Sequence, residues 1–337
     1  MSFDFPKIDL HLHLDGAVQP ETAFQLAKEE GIPMPADTVE EFRHFLTVTA
    51  NCRSVNEYLA RFEIPLKILQ NSQALSRVTK ELIVRLADEG LRYAEIRFAP
   101  QLHTRQTLTQ QDAVEAVLEG RRQGLEEAPC MDANIILCAM AVGGADKNRH
   151  ENIETVRLAA HYLGEGVVAV DLAGAEGLCP LSDYAEIFEL ARGLHVPFTC
   201  HAGDSQGPDT VRDALDFGTK RIGHGHHIFD DKQLCERAIR EGVTLEVCPT
   251  SNIQCQSQPS YREHPLKALY DMGMRVTVNT DNPVLSGITL DHEYEVCLKE
   301  MGFTEKDLIQ MNLYSAEAAF LAPEKKAKLI QELKSLL

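Results

Sequence analysis

The chain has 337 residues, 44% hydrophobic and 25% charged, the composition of a globular protein with an ample core, which excludes a disordered chain. Its formal net charge of −18 argues against nucleic-acid and anionic-membrane partners, which need a positive field. Nine cysteines without a CxxC pair read as reduced thiols of a cytoplasmic protein. The first residues, with Asp4 and no apolar core segment, do not read as a secretory signal. The longest uncharged apolar stretch, 134–145, is about half the ~20 residues of a membrane span.

Short β-rich runs recur at 7–14, 91–99, 133–141, 167–174, 197–203, 221–226, 244–251 and 275–282. Most gaps between them read as amphipathic helix. In 182–194, for example, Tyr184, Ile187, Phe188 and Ala191 recur at helical spacing. Eight strands alternating with helices predict a (β/α)₈ TIM barrel spanning 1–337 as one domain, with an open doubly wound sheet as runner-up. The first gap, 15–90, is too long for one crossover. It is expected to hold extra helices near 21–30 and 55–69, capping one end of the barrel. The C-terminal ends of the runs carry Gly, His, Asp, Ser and Asn, and in a barrel that rim holds the active site.

On the first run side chains alternate between faces. Asp9, His11, His13 and Asp15 share one face, and Leu10, Leu12 and Leu14 the other. The leucines are expected to pack on helices and the polar face to point into the barrel. Two imidazoles at i, i+2 are close enough to hold one metal ion; the alternative is a pair of histidines satisfied by hydrogen bonds. His201 ends the fifth run three residues before Asp204, which fits a third ligand with a nearby acid or base. His224 stands between Gly223 and Gly225, where the backbone can approach something closely. His226 and His227 read as loop or supporting residues, and His103 falls on a predicted loop. Asp281 ends the last run and can serve as a carboxylate ligand. Three imidazoles with one or two carboxylates suit a borderline metal such as Zn²⁺. A competing motif, Gly203-Asp204-Ser205-Gln206-Gly207, matches the G-x-S-x-G nucleophile elbow. The elbow needs a helix starting at its serine, Gly207-Pro208 delays one, and the His11/His13 pair is left unexplained.

Seven short motifs then stand in order along nearly the whole chain: IDLHLHLDG at 8–16, YAEIRFAP at 93–100, DLAG at 171–174, HAG at 201–203, IGHGH at 222–226, CPTSN at 248–252 and NTDN at 279–282. Together the chain resembles the adenosine deaminase family of the metal-dependent amidohydrolases. The resemblance implies hydrolytic deamination of adenosine and 2′-deoxyadenosine to the inosine products and ammonia. It implies one Zn²⁺ per chain, bound by His11, His13, His201 and Asp281, acidifying a water for attack on purine C6. Asp204 would protonate purine N1 and His224 would orient the nucleophile. Gly174 would offer its N–H to N3, Asn282 would face N7, Asp15 would hold the ribose 5′-hydroxyl, and His13 would also border the substrate. Segment 46–62 would help form a lid.

The chain departs from the family pattern at three places. Asp204 stands where the family has Glu, one methylene longer. Asn282 replaces a second Asp, and its amide can donate in any protonation state. Ala141 stands where Arg follows Cys-x-Met. Alternatives on the same fold are an adenine deaminase, a deaminase of another adenosine derivative, and a zinc- and purine-binding pseudoenzyme. Asp15 favours a nucleoside, since the family's free-base enzymes tend to have Glu there, and it would repel a 5′-phosphate. The implied partner is a small purine nucleoside.

Overall fold

The computed structural model describes residues 3–48, 52, 58 and 60–337. Among them eight strands run in chain order: β1 (Lys7–His13), β2 (Leu91–Phe98), β3 (Asp132–Ala141), β4 (Val167–Gly174), β5 (Cys200–Ala202), β6 (Arg221–His224), β7 (Thr244–Val247) and β8 (Arg275–Val278). They pair in parallel in two runs, β1–β4 and β5–β8. Two seams join the runs. At one, the Val170 N–H donates to the Pro197 carbonyl and the Thr199 N–H to the Val170 carbonyl, each at 3.0 Å. At the other, the Asp281 N–H donates to the His11 carbonyl at 2.8 Å and the His13 N–H to the Asp281 carbonyl at 2.7 Å. The eight strands thereby close into a (β/α)₈ barrel. Parallel neighbours need crossovers, and helices such as Gln110–Glu127 and Arg149–His161 supply them.

The long first gap holds the helices Pro20–Glu30, Val39–Leu46, Glu63–Ile68 and Ser72–Asp88. Thr38 starts the second with a capping box, its hydroxyl accepting the Glu41 N–H while the Glu41 carboxylate accepts the Thr38 N–H. Of the expected helix at 55–69, the described part is a 3₁₀ turn, Ala60–Phe62, and the helix Glu63–Ile68. Residues 49–51, 53–57 and 59 of the expected lid lie outside the described residues.

Leu10, Leu12 and Leu14 are fully buried. Their strand lies against the helix Glu305–Ala318, where Asn312 Oδ1 accepts the Ile8 N–H at 2.9 Å. The opposite face does meet the barrel interior, but Asp15 does not belong to the strand. β1 ends at His13, and Asp15 sits in a 3₁₀ turn, Asp15–Ala17. The last four strands are also shorter than the apolar runs predict. Pro249 opens a helix, Pro249–Gln254, in what reads as β7, and His224 and Asp281 adopt left-handed φ values of 61° and 58° that end the ladder. The predicted helix at 182–194 divides into a 3₁₀ turn, Leu181–Tyr184, and the helix Ala185–Gly193.

The interior is crossed by ions where a barrel ordinarily stacks branched apolar side chains. Arg97 pairs with Asp171 at 3.0 Å and Glu246 at 2.7 Å. Arg221 pairs with Glu95 at 2.5 Å and Glu246 at 2.6 Å. All five side chains are buried. Both guanidinium groups also donate to the Leu10 carbonyl, tying β1 into the network.

Candidate active site

The strands deliver four imidazoles and one carboxylate to a single point. His11 and His13 come from β1, His201 from β5 and His224 from the end of β6. The His11 ring centroid lies 5.5 Å from that of His13, 4.6 Å from His201 and 4.9 Å from His224. Asp281 Oδ1 sits 3.6 Å from His11 Nε2 and 3.5 Å from His13 Nε2. Ligand-competent atoms of His11, His13 and Asp281 lie within 4.8 Å of one another, as do those of His11, His201 and His224. The close approach depends on Gly223: a Cβ there would come within 2.8 Å of His11 Cε1. Two non-glycine residues of this cluster, His224 and Asp281, hold left-handed backbone, a strain typical of functional sites.

Three of these groups are oriented from behind. His11 Nδ1 meets Glu246 Oε2 at 3.0 Å, and His201 Nδ1 meets Asp171 Oδ2 at 2.9 Å. The Glu246 carboxylate calls for a proton on His11 Nδ1, which leaves a lone pair on His11 Nε2. The Ser251 hydroxyl donates to Asp281 Oδ2 at 2.6 Å. His11 Nε2 is buried and has no hydrogen-bond partner. An unpartnered, fully buried imidazole lone pair is costly unless something fills it. A carboxylate–histidine pair of this kind is the usual support of a metal ligand. The donor set therefore fits a divalent metal ion.

Beside the cluster is a cavity of about 270 Å³. His13, Asp15, Gly174, His201, Asp204, His224, Asp281 and Asn282 border it, with an apolar wall that includes Phe62, Leu66, Leu102 and Met140. His11 lies beneath this lining, fully buried. Burial pushes the Asp15 carboxyl up to about 6, and its Oδ1 has no partner. Gly16 stands against Asn282, whose Oδ1 would lie 2.0 Å from any Cβ placed there. Burial, and then the negative Asp281, push the Asp204 carboxyl up to about 6. Burial pushes His224 down to about 4, so its ring is neutral. Ser205 does not border this cavity, and the helix after it begins only at Pro208, so the elbow motif has no elbow geometry. A wider surface groove lined by Ser72, Arg77, Lys80 and Glu119 contains none of these strand-end residues.

The turn carrying Asp204 is held by a residue the sequence reading passed over. Glu176 accepts the backbone N–H groups of Gly203, Asp204, Ser205 and Gln206 at 2.6 to 3.0 Å, and the Thr210 hydroxyl at 2.7 Å. It stands two residues past the DLAG motif, the one signal that pointed toward it.

Residues 6–336 match the family model for adenosine deaminase. The chain is 42% identical over 326 residues to an adenosine deaminase of Haemophilus ducreyi, covering 96% of this chain and 94% of that one. It is 38% identical over 331 residues to one from Clostridium perfringens, covering 97% of each. The chain belongs to the adenosine deaminase family. Among solved structures, an adenine deaminase from Arthrobacter aurescens superposes with a TM-score of 0.89 at 26% identity, covering 99% of both chains. Within this adenosine deaminase fold, the strand-end histidines and Asp281 occupy the C-terminal mouth of the barrel. Arg97, Asp171, Ser251 and Asn252 lie inside motifs that carried the resemblance, yet their contacts give them work that the motifs alone do not describe. Glu246 and His264 lie outside those motifs.

Proposed function

We propose that this enzyme hydrolyses the exocyclic amine of adenosine and 2′-deoxyadenosine, giving the inosine products and ammonia. The observation that carries this reading is one cavity that Asp281, Asp204 and Asp15 all border, with the unpartnered Nε2 of His11 beneath it, the Asp204 carboxyl raised to about 6 and the Asp15 Oδ1 without a partner. His11, His13, His201 and Asp281 would hold one Zn²⁺, which three imidazoles and a carboxylate suit. When bound, the ion supplies Lewis acidity that makes a water nucleophilic at neutral pH.

The remaining work belongs to the chain. Asp204 holds a proton for purine N1, which gains basicity as C6 becomes tetrahedral. Its raised carboxyl matches that task. Neutral His224 orients the attacking water. Gly174 and Asn282 contact the ring at N3 and N7, and Asp15 accepts the ribose 5′-hydroxyl. The water's oxygen replaces the amine at C6, and its protons leave with ammonia or pass back to Asp204. Among the described residues no Lys or Arg borders the cavity, while Asp15, Asp204 and Asp281 do. A nucleoside 5′-phosphate is therefore repelled. Relatives named adenosine deaminase share 42% and 38% of residues, against 26% for the adenine deaminase, which also favours the nucleoside. Cys130, Cys138, Cys179, Cys200, Cys235, Cys248, Cys255 and Cys297 are free thiols, fitting a reducing cytoplasm.

Purified protein with adenosine should lose the nucleoside's ultraviolet absorbance and release ammonia. Asp204→Asn should lower kcat by about 10²–10⁴-fold, the usual share of a general acid, while metal content stays at one ion per chain. A wild-type protein that leaves adenosine intact overturns the reading.

A further inference from the structure

Asn252 and His264 hold no place in the chemistry above, yet they lie directly behind two residues that do. Both are buried. The Leu266 backbone N–H donates to His264 Nδ1 at 3.1 Å. That nitrogen is therefore an acceptor, and the single proton of a neutral ring must sit on Nε2. Burial holds the ring neutral, pushed down to about 3. His264 Nε2 lies 3.2 Å from Asn252 Oδ1. A ring N–H there donates and needs an oxygen opposite it, so the Asn252 amide cannot be turned around. Its nitrogen then faces the site, 2.8 Å from Asp204 Oδ1 and 3.1 Å from His224 Nδ1. An amide nitrogen has two protons, one for each of these acceptors.

We propose that Asn252, oriented by His264, is a positioning residue that sets the tautomer of His224 and selects which oxygen of Asp204 carries the proton. The inference rests on the deaminase reading for the roles of Asp204 and His224. With Nδ1 accepting from Asn252, the proton of neutral His224 is on Nε2. The competing arrangement, a His224 Nδ1–H shared with Asp204 Oδ1 at 3.4 Å, would set two donors against each other at the Asn252 nitrogen. With Oδ1 of Asp204 accepting, the acidic proton belongs to Oδ2. Backbone bonds fix Asn252 itself: its N–H donates to the Cys248 carbonyl, and its carbonyl accepts the Ser257 and Gln258 N–H groups.

The test uses substitutions that change hydrogen-bond direction with little change in shape. Asn252→Asp replaces two donors by acceptors and should lower kcat about 10²-fold with KM little changed, as misplacement of catalytic groups does. His264→Leu should lower kcat by a smaller factor. His264→Gln, whose amide can donate to Asn252 Oδ1, should recover most of it. Nitrogen NMR of histidine-labelled enzyme supplies a readout besides turnover, with the His224 signals identified by their loss in His224→Gln. Wild type should show His224 with Nδ1 unprotonated, and Asn252→Asp should lose that tautomer. A protonated Nδ1 in the wild type, wild-type kcat in Asn252→Asp, or equal losses in His264→Leu and His264→Gln would each overturn the proposal. If the wild type fails to turn over adenosine, the reaction assignment falls while the tautomer still decides the hydrogen-bond chain.

Discussion

The His103 ring is fully buried in a 3₁₀ turn, Pro100–His103, and its Nδ1–H donates to the Leu69 carbonyl at 2.7 Å. Burial pushes its pKa from 6.5 down to about 4. Between those values the unfolded chain binds the proton more readily than the folded one. The ring's contribution is therefore complete above about pH 6.5 and is lost as pH falls toward 4. At 1.36 kcal/mol per pKa unit, it amounts to roughly 3 kcal/mol at full strength. His103→Asn keeps a donor near Nδ1 but cannot titrate. Urea unfolding at pH 7.5 and pH 5 should show the wild type losing about 2 kcal/mol more than the variant on acidification. Equal losses would contradict this account, and adenosine turnover should survive the substitution. The sequence places His103 correctly outside the strands, but its burial depends on Leu69, 34 residues away, and no local pattern reports that. Asp15 is the converse case. Strict alternation assigns it to the strand, the chain turns first, and the 3₁₀ turn still brings its carboxylate to the cavity.

At the scale of elements, interior ions tie strands together across the barrel in addition to its ladders. Arg97 on β2 bridges Asp171 on β4 and Glu246 on β7, the same two carboxylates that orient His201 and His11. Removing the guanidinium leaves two buried carboxylates short of a partner. Arg97→Met should therefore cost about 3–5 kcal/mol in denaturant unfolding. It should also weaken metal binding about 10–100-fold in a competitive chelator titration, the usual effect of losing a ligand's support. Unchanged metal affinity would show that His11 and His201 need no such support. Much of this level could be read from residue order: the eight strands, the extra helices after the first and the polar strand ends all follow from apolar patterning. The ends of β5 to β8 could not, because apolar residues run on past the point where Pro249 or a left-handed His224 or Asp281 breaks the ladder. Nor could the clamp of Glu176, which joins residues 27 to 30 positions apart.

At the scale of the molecule, the acidic balance and a cavity that no described Lys or Arg borders would act together to select an uncharged, polar ligand over a nucleotide. No described helix is long and apolar enough to cross a membrane. A site that selects a nucleoside over its free base needs a group that meets the ribose, and Asp15 is that group in the proposed function. Its buried, unpartnered Oδ1 is a poor state for a carboxylate and a good one for receiving a hydroxyl. A charge-assisted bond to the 5′-hydroxyl is worth roughly 1.5–3 kcal/mol, or about tenfold or more in kcat/KM. The deciding measurement is kcat/KM for adenosine, 5′-deoxyadenosine and adenine on the wild type and on Asp15→Ala. The wild type should prefer adenosine to 5′-deoxyadenosine by about tenfold or more, and Asp15→Ala should narrow that gap. A wild type that turns over adenine better than adenosine would contradict the account.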